Sequence, residues 1–165
     1  MDNKIISTCD LCDRFRDSSD DSFRVLPGVF RSYGGRAAFH GPVVTLRCYE
    51  ANAKLRELVQ TPGEGRVIVV DGGASTQRAL LGGNLAGFAA KNGWAGVLIN
   101  GVVRDLAELR AADVGIFALG HCPMPSFKRE EGQLGEPVRI QGEWIRPSEW
   151  LYADEDGVVV YPTGL

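Results

Sequence analysis

The sequence predicts a single mixed α/β domain, and three observations carry that expectation. Val67-Ile68-Val69-Val70 is almost purely β-branched, as a strand covered on both faces requires. Segments with helical spacing alternate with short apolar runs as far as Leu119, the order of a three-layer α/β unit with some parallel pairing. From Pro137 onward the apolar residues lie in short runs broken by Gly142, Pro147 and Asp156-Gly157, which predicts antiparallel strands with hairpin turns. The chain has 165 residues, enough for one full core and too few for two, so residues 1–165 are expected to form one domain.

Taken in order, Thr8 to Phe15 reads as a helix with Thr8 as N-cap and Asp10 and Asp13 near its positive end. Cys9 and Cys12 form a CxxC. Such a pair can be redox-active or metal-binding, or simply two small residues on one helical turn. The second reading is favoured, because no second CxxC and no histidine stand nearby. Arg16 to Asp21 is a charged surface loop. Val25 to Gly28 is a turn leading into a short strand at Val29-Phe30. Val43 to Cys48 is a strand preceded by a Gly41-Pro42 turn, with His40 at the turn in a structural role. Asn52 to Gln60 places Leu55, Leu58 and Val59 at helical spacing, and Thr61-Pro62-Gly63 ends that helix.

Asp71-Gly72-Gly73 closes the β-branched strand, and Ser75 to Leu81 is an irregular connection. Gly82-Gly83-Asn84-Leu85 opens a helix that Gly93 closes. Val97 to Ile99 is a buried strand, with its end expected at Asn100-Gly101. Arg104-Asp105 lies just beyond, before a brief helix at Leu106 to Ala112 and a strand at Val114 to Leu119. His121 to Pro125 is a rigid exit loop, and Lys128 to Glu131 a solvated charge run. Trp144, Trp150 and Tyr161 are expected in the core.

The formal net charge of -3 argues against general nucleic-acid binding, which shows a basic footprint. No apolar run approaches the roughly 18 residues needed to span a membrane. Met1 to Ser7 lacks the basic, apolar, small-residue order of a signal peptide. These features point to a cytoplasmic protein.

The chemistry is expected where the Gly82–Leu85 loop and Arg104-Asp105 flank one helix and one strand. Gly82 and Gly83 offer backbone N–H groups to an anion, carboxylate or phosphate, at a helix start. Neither a dinucleotide fingerprint nor a P-loop is present. Arg104 can grip a carboxylate with two parallel N–H donors. Asp105 is a hard oxygen ligand suited to Mg²⁺ or Mn²⁺. A surface salt bridge between the two, or a helix cap, is the plainer alternative.

The series Thr8-x-Asp10-Leu11-Cys12-Asp13, Val69-Val70-Asp71-Gly72-Gly73, Gly82-Gly83-Asn84-Leu85, Asn92-Gly93-Trp94-Ala95-Gly96 and Asn100-Gly101-x-x-Arg104-Asp105 resembles the family of the regulator of ribonuclease E activity A. That family also holds the class II 4-hydroxy-4-methyl-2-oxoglutarate aldolases. The resemblance runs from about Thr8 to Pro162. It implies an RraA-like fold with swivelling β/β/α layers and a ring-shaped homotrimer. It further implies that Gly82, Gly83, Asn84 and Leu85 line the substrate pocket, that Arg104 binds substrate, and that Asp105 holds a divalent metal. The proven aldolases carry an Asp where this chain has Gly83, and neither Gly83 nor Asn84 supplies an acid. The best-known ribonuclease regulators replace the Asp of Arg-Asp, whereas this chain keeps Asp105.

The activity so implied is metal-dependent cleavage of 4-hydroxy-4-methyl-2-oxoglutarate to two pyruvates. Oxaloacetate decarboxylation would follow through the same pyruvate enolate. Arg104 and Asp105 are the expected catalytic pair, the metal acting as Lewis acid and a bound water as base. The alternative is an inhibitor that binds ribonuclease E. A third reading is a metal-dependent enzyme on another 2-oxo acid or a methyl-transfer substrate.

Overall fold

The computed structural model describes residues 5–165. The signal-peptide reading of Met1 to Ser7 and the domain bound at residue 1 therefore lie partly outside the described residues. The helices are α1 (Thr8–Phe15), α2 (Ala53–Val59), α3 (Gly83–Lys91) and α4 (Leu106–Ala111). The strands are β1 (Arg24–Val25), β2 (Arg31–Ser32), β3 (Phe39–Arg47), β4 (Val67–Asp71), β5 (Ala79–Leu81), β6 (Gly96–Val103), β7 (Gly115–His121), β8 (Gln133–Leu134), β9 (Val138–Ile140), β10 (Glu143–Ile145), β11 (Trp150–Asp154) and β12 (Gly157–Tyr161).

Strands β3, β4, β6 and β7 pair in parallel, and β5 adds in parallel to the end of β6. The first half of β3 pairs antiparallel with β11, which leads on to β12 and β1. One long strand thus serves two differently oriented halves of a curled sheet. The hairpin expected at Asp156-Gly157 joins β11 to β12.

Alternation along β4 explains the β-branched run. Ile68 and Val70 face a core shared with Leu55 of α2, Leu85 of α3 and Leu109 of α4. Val67 and Val69 face a second core shared with Leu151, Val158 and Ile140. Fully burying each such side chain contributes about 2 kcal/mol. The result is the expected β/β/α layering, with α1 covering the outer face of β11 and β12 through Leu11. Phe39 shows how closely the layers meet. Its ring lies where Cβ atoms on Gly96 and Gly115 would be, 2.2 and 2.0 Å from its ring carbons.

Several local expectations change. The N-cap of α1 is Ser7, whose Oγ accepts from the Asp10 N–H. Thr8 is the first helical residue instead, buried, with its N–H and hydroxyl both donating to the Asp154 carboxylate. Val29-Phe30 is not a strand: the Val29 N–H is held in a turn by the Pro27 carbonyl, and pairing starts at Arg31. His40, Gly41 and Pro42 belong to β3, where His40 stacks on Tyr152. The connection before Gly82 contains β5. Trp144 is exposed on the β9–β10 ribbon, outside both cores, and Trp150 and Tyr161 are half-buried. The fully buried indole is Trp94, whose Nε1–H donates to the Thr61 carbonyl.

The turn signal at Asn100-Gly101 does not end β6, which is buried at all eight positions. The Asn100 side chain accepts from Gln141, and its carbonyl accepts from Gly72 and Ala74. Ile99 and Val102 of β6 stand opposite Ala118 and Gly120 of β7, so β6 carries one extra residue. This bulge turns the end of β6 before Arg104, a device common beside functional sites.

Candidate functional site

The site lies at the carboxyl ends of β5 and β6, the end of a parallel sheet where ligands usually bind. Parallel pairing of Ala79 and Leu81 with Val102 and Val103 sets the two strand ends side by side. The Arg104 N–H donates to the Leu81 carbonyl at 3.0 Å, so Gly82-Gly83 and Arg104-Asp105 emerge together. They line a cavity of 480 Å³ with Asn84, Leu85, Arg56, Lys128 and others. All of the residues singled out from the sequence are therefore brought together. Asn84 is exposed, whereas Leu85 is buried and also packs into the helical core.

Asp105 has a left-handed backbone, φ 60° and ψ 50°, uncommon for a residue with a side chain. It occupies the N-cap of α4, yet its side chain makes no cap bond there. Its Oδ2 instead accepts the Gly83 N–H at 2.9 Å, across the start of α3. No Arg104–Asp105 ion pair forms. Arg104 reaches only the Pro123 carbonyl, at 3.4 Å. The salt-bridge alternative is thus absent, and the cap that exists serves the neighbouring helix.

The two glycines allow close approach of neighbouring side chains. A Cβ on Gly82 would lie 2.6 Å from Asp105 Oδ2 and 3.3 Å from Arg104 Cγ. A Cβ on Gly83 would lie 1.6 Å from Glu108 Oε2. Bare Cα atoms let both polar side chains lie against the helix start.

Sequence reasoning missed Arg56 and Lys128. Arg56 lies in the last turn of α2, and Lys128 had read as part of a solvated run. The loop carrying Lys128 is pinned by Ser126 Oγ donating to the Ala79 carbonyl and by the Phe127 N–H donating to the Glu50 carbonyl. Neither cation has a local sequence signature. With Arg104 they set three cations against the carboxylates of Asp105 and Glu130, a balance suited to an anion.

Among the described residues no three His, Cys, Asp or Glu side chains gather in a metal-binding group. A hydrated Mg²⁺ or Mn²⁺ needs less, one or two carboxylates and several waters. Asp105, at the N-cap of α4 and lining the cavity, fits that demand and does not fit an all-protein Zn²⁺ cage. The four cysteines are free. The Cys9 thiol is held above its ordinary value by a hydrogen bond to Asp156, and burial pushes Cys12 up. Both are therefore poor thiolates. A second cavity of 480 Å³ lies at the opposite ends of β3, β4 and β6, lined by His40, Trp94 and Trp150 among others. Burial holds the His40 imidazole below its ordinary value. No described helix is long and apolar enough to cross a membrane.

Comparison with known proteins agrees with this architecture. A protein of Albidiferax ferrireducens named "putative 4-hydroxy-4-methyl-2-oxoglutarate aldolase" is 52% identical over 93% of this chain and 94% of its own. The structure of the RNA-processing inhibitor RraA from Thermus thermophilis superposes with a TM-score of 0.91 at 43% identity, covering 97% of this chain and 94% of that one. A structure described as S-adenosylmethionine: 2-dimethylmenaquinone methyltransferase from Geobacillus kaustophilus HTA426 has the same TM-score at 41% identity, over 97% of both chains. The model of the RraA-like family, Aldolase/RraA, matches residues 8–160, and this chain belongs to that family.

Proposed function

We propose that this protein is a divalent-metal-dependent class II aldolase that cleaves 4-hydroxy-4-methyl-2-oxoglutarate to two pyruvates, with oxaloacetate decarboxylation as a second activity. The carrying observation is that Arg104 and Asp105 stand side by side without pairing, against the bare start of α3. Their charges are left for a ligand. The family's named aldolases add support.

A divalent cation held by Asp105 supplies, when bound, Lewis-acid polarisation of the substrate's keto oxygen. The Arg104 guanidinium adds positive charge where the enolate oxygen develops. Gly82 and Gly83 admit the 2-oxo acid close to the backbone, beside Asn84 and Leu85. Arg56 and Lys128 suit the second carboxylate that both substrates carry. In the aldol cleavage the C3–C4 bond breaks, its electron pair enters the enolate, and the 4-hydroxyl proton leaves as the new keto group forms. Protonation at C3 then yields the second pyruvate. None of the residues lining this cavity is a histidine, so a bound water is the base. The protein works in the cytoplasm as a homotrimer; exposed Tyr49, Leu134 and Trp144 offer apolar surface for assembly.

The test is pyruvate release from each substrate with Mg²⁺ or Mn²⁺, repeated after EDTA. Metal-dependent turnover lost in Asp105→Ala supports the reading; turnover indifferent to metal and to Asp105 rejects it. Likeness to the RNA-processing inhibitor favours one alternative, inhibition of ribonuclease E through protein binding. Capture of ribonuclease E with and without chelator separates the two, because the inhibitor reading needs no metal.

A further inference from the structure

We propose that Phe127, gripped by Arg78 and Arg129, is the clasp that sets Lys128 in the cavity, a positioning residue for the substrate's second carboxylate. This rests on the reading that Lys128 meets that carboxylate. The strap from Pro125 onward is extended, with parallel bridges from Pro125 to Ala79 and from Phe127 to Ala51. Side chains of an extended segment point alternately to opposite sides. Ser126, Lys128 and Glu130 line the cavity, whereas Phe127 and Arg129 between them do not. The charge run is thus split, with Lys128 on the cavity side and Arg129 on the far side.

On that far side two guanidinium groups lie over one ring. Arg78 Cζ stands 3.6 Å from the Phe127 centroid and Arg129 Cζ 4.1 Å. Both are well inside the roughly 6 Å over which an aromatic face attracts a cation. Arg78 Nη1 also donates to the Pro125 carbonyl at 3.0 Å, and Arg78 directly precedes β5, which leads to Gly82. Arg78 takes part in none of the ion pairs among the described residues. The clasp therefore ties the strap to the strand that builds another wall of the cavity. Lys128 is exposed on a long flexible stem, so its place is set by its backbone rather than by packing of its own. Without the ring the docked strap is populated less, and affinity for a dicarboxylate falls in proportion. Saturating substrate draws the strap back, so KM rises while kcat holds.

Two substrates separate this from general damage. Oxaloacetate carries the second carboxylate. Pyruvate lacks it, and exchange of its methyl protons for deuterium reads enolate formation at Arg104 and Asp105 alone. With Mg²⁺ or Mn²⁺ present, Phe127→Leu should raise KM for oxaloacetate about five- to tenfold, with kcat and pyruvate exchange within about twofold of wild type. Phe127→Tyr keeps the aromatic face and should behave as wild type. Phe127→Leu combined with Lys128→Met should be no worse than Lys128→Met alone, because both remove the same contact. Thermal unfolding shows which variants fold, and Arg78→Met carries the test if Phe127→Leu does not. An unchanged oxaloacetate KM in the folded variant, or an equal loss of pyruvate exchange, would overturn this inference and leave the proposed activity standing. A wild-type chain that neither decarboxylates oxaloacetate nor exchanges pyruvate protons would overturn both.

Discussion

The Asp105 carboxylate accepts the Gly83 N–H at 2.9 Å, so a residue at the N-cap of α4 caps α3 instead. One oxygen thereby joins the two strand ends that build the pocket. Its structural and chemical roles can be separated. Asp105→Asn retains an acceptor and should keep stability within about 0.5 kcal/mol, while metal-dependent turnover falls at least about a hundredfold. Asp105→Ala should lose turnover and about 1 kcal/mol of stability, the usual value of an N-cap. Denaturant midpoints and pyruvate release, measured on both variants, check this. Equal turnover in wild type and Asp105→Asn would remove the charge from the mechanism.

Arg104 is expected to act through its planar fork as well as its charge. Arg104→Lys keeps the charge and loses the paired donors, which should weaken substrate use by about ten- to a hundredfold in kcat/KM. Steady-state kinetics on oxaloacetate gives the answer. A lysine variant as active as wild type would mean that a point charge suffices.

Glu149 predicts an acid limb of the stability profile. Arg24 grips it with both Nη atoms, at 2.8 and 3.1 Å, and the Arg146 N–H donates to it at 2.8 Å. Both ion-pair side chains are only 11% exposed. Burial pushes the Glu149 carboxyl up, but the bonds from Arg24 and Arg146 outweigh it and hold the group below its ordinary value of 4.5. A lowered folded value means that the unfolded chain binds the proton first. The stabilisation is therefore complete above the ordinary value and lost as pH falls through the folded one. Glu149→Gln should cost about 1–3 kcal/mol at pH 7, from the weakened charge-assisted bonds. The gap to wild type should close below the carboxylate range. Urea midpoints from pH 7 to pH 3 measure it; parallel profiles for the two proteins would contradict it.

The Phe39 ring lies against Gly96 and Gly115, the first residues of two neighbouring strands. An edge-on Phe117 also packs on it, with centroids 5.2 Å apart, in the same buried core, so the ring has little room to move. Gly96→Ala should then destabilise the fold by about 2–3 kcal/mol through overpacking. Pairing it with Phe39→Leu should recover part of that loss. Thermal unfolding of the two single variants and the double variant tests the coupling.

By itself the sequence determined the layers. The β-branched Val67–Val70 run reads as a strand covered on both faces, and helical spacing placed Leu55, Leu58 and Val59 toward one of them. It also marked the Gly82-Gly83 helix start and the Arg104-Asp105 pair, because unusual backbone needs and charged side chains at element ends show locally. The tertiary structure decided what meets what. Asn100-Gly101 looked like a strand end, but full burial and partners from distant segments carried β6 through a bulge. Only pairing of β5 with β6 brings Gly83 to Asp105, and only loop docking brings Lys128 to the pocket where Arg56 stands. The contact of the Glu108 side chain with the bare Cα of Gly83 likewise follows only from how α3 and α4 pack. Periodicity records which faces a segment buries. Register, bulges and loop docking depend on contacts far apart in the chain, and those assemble the site.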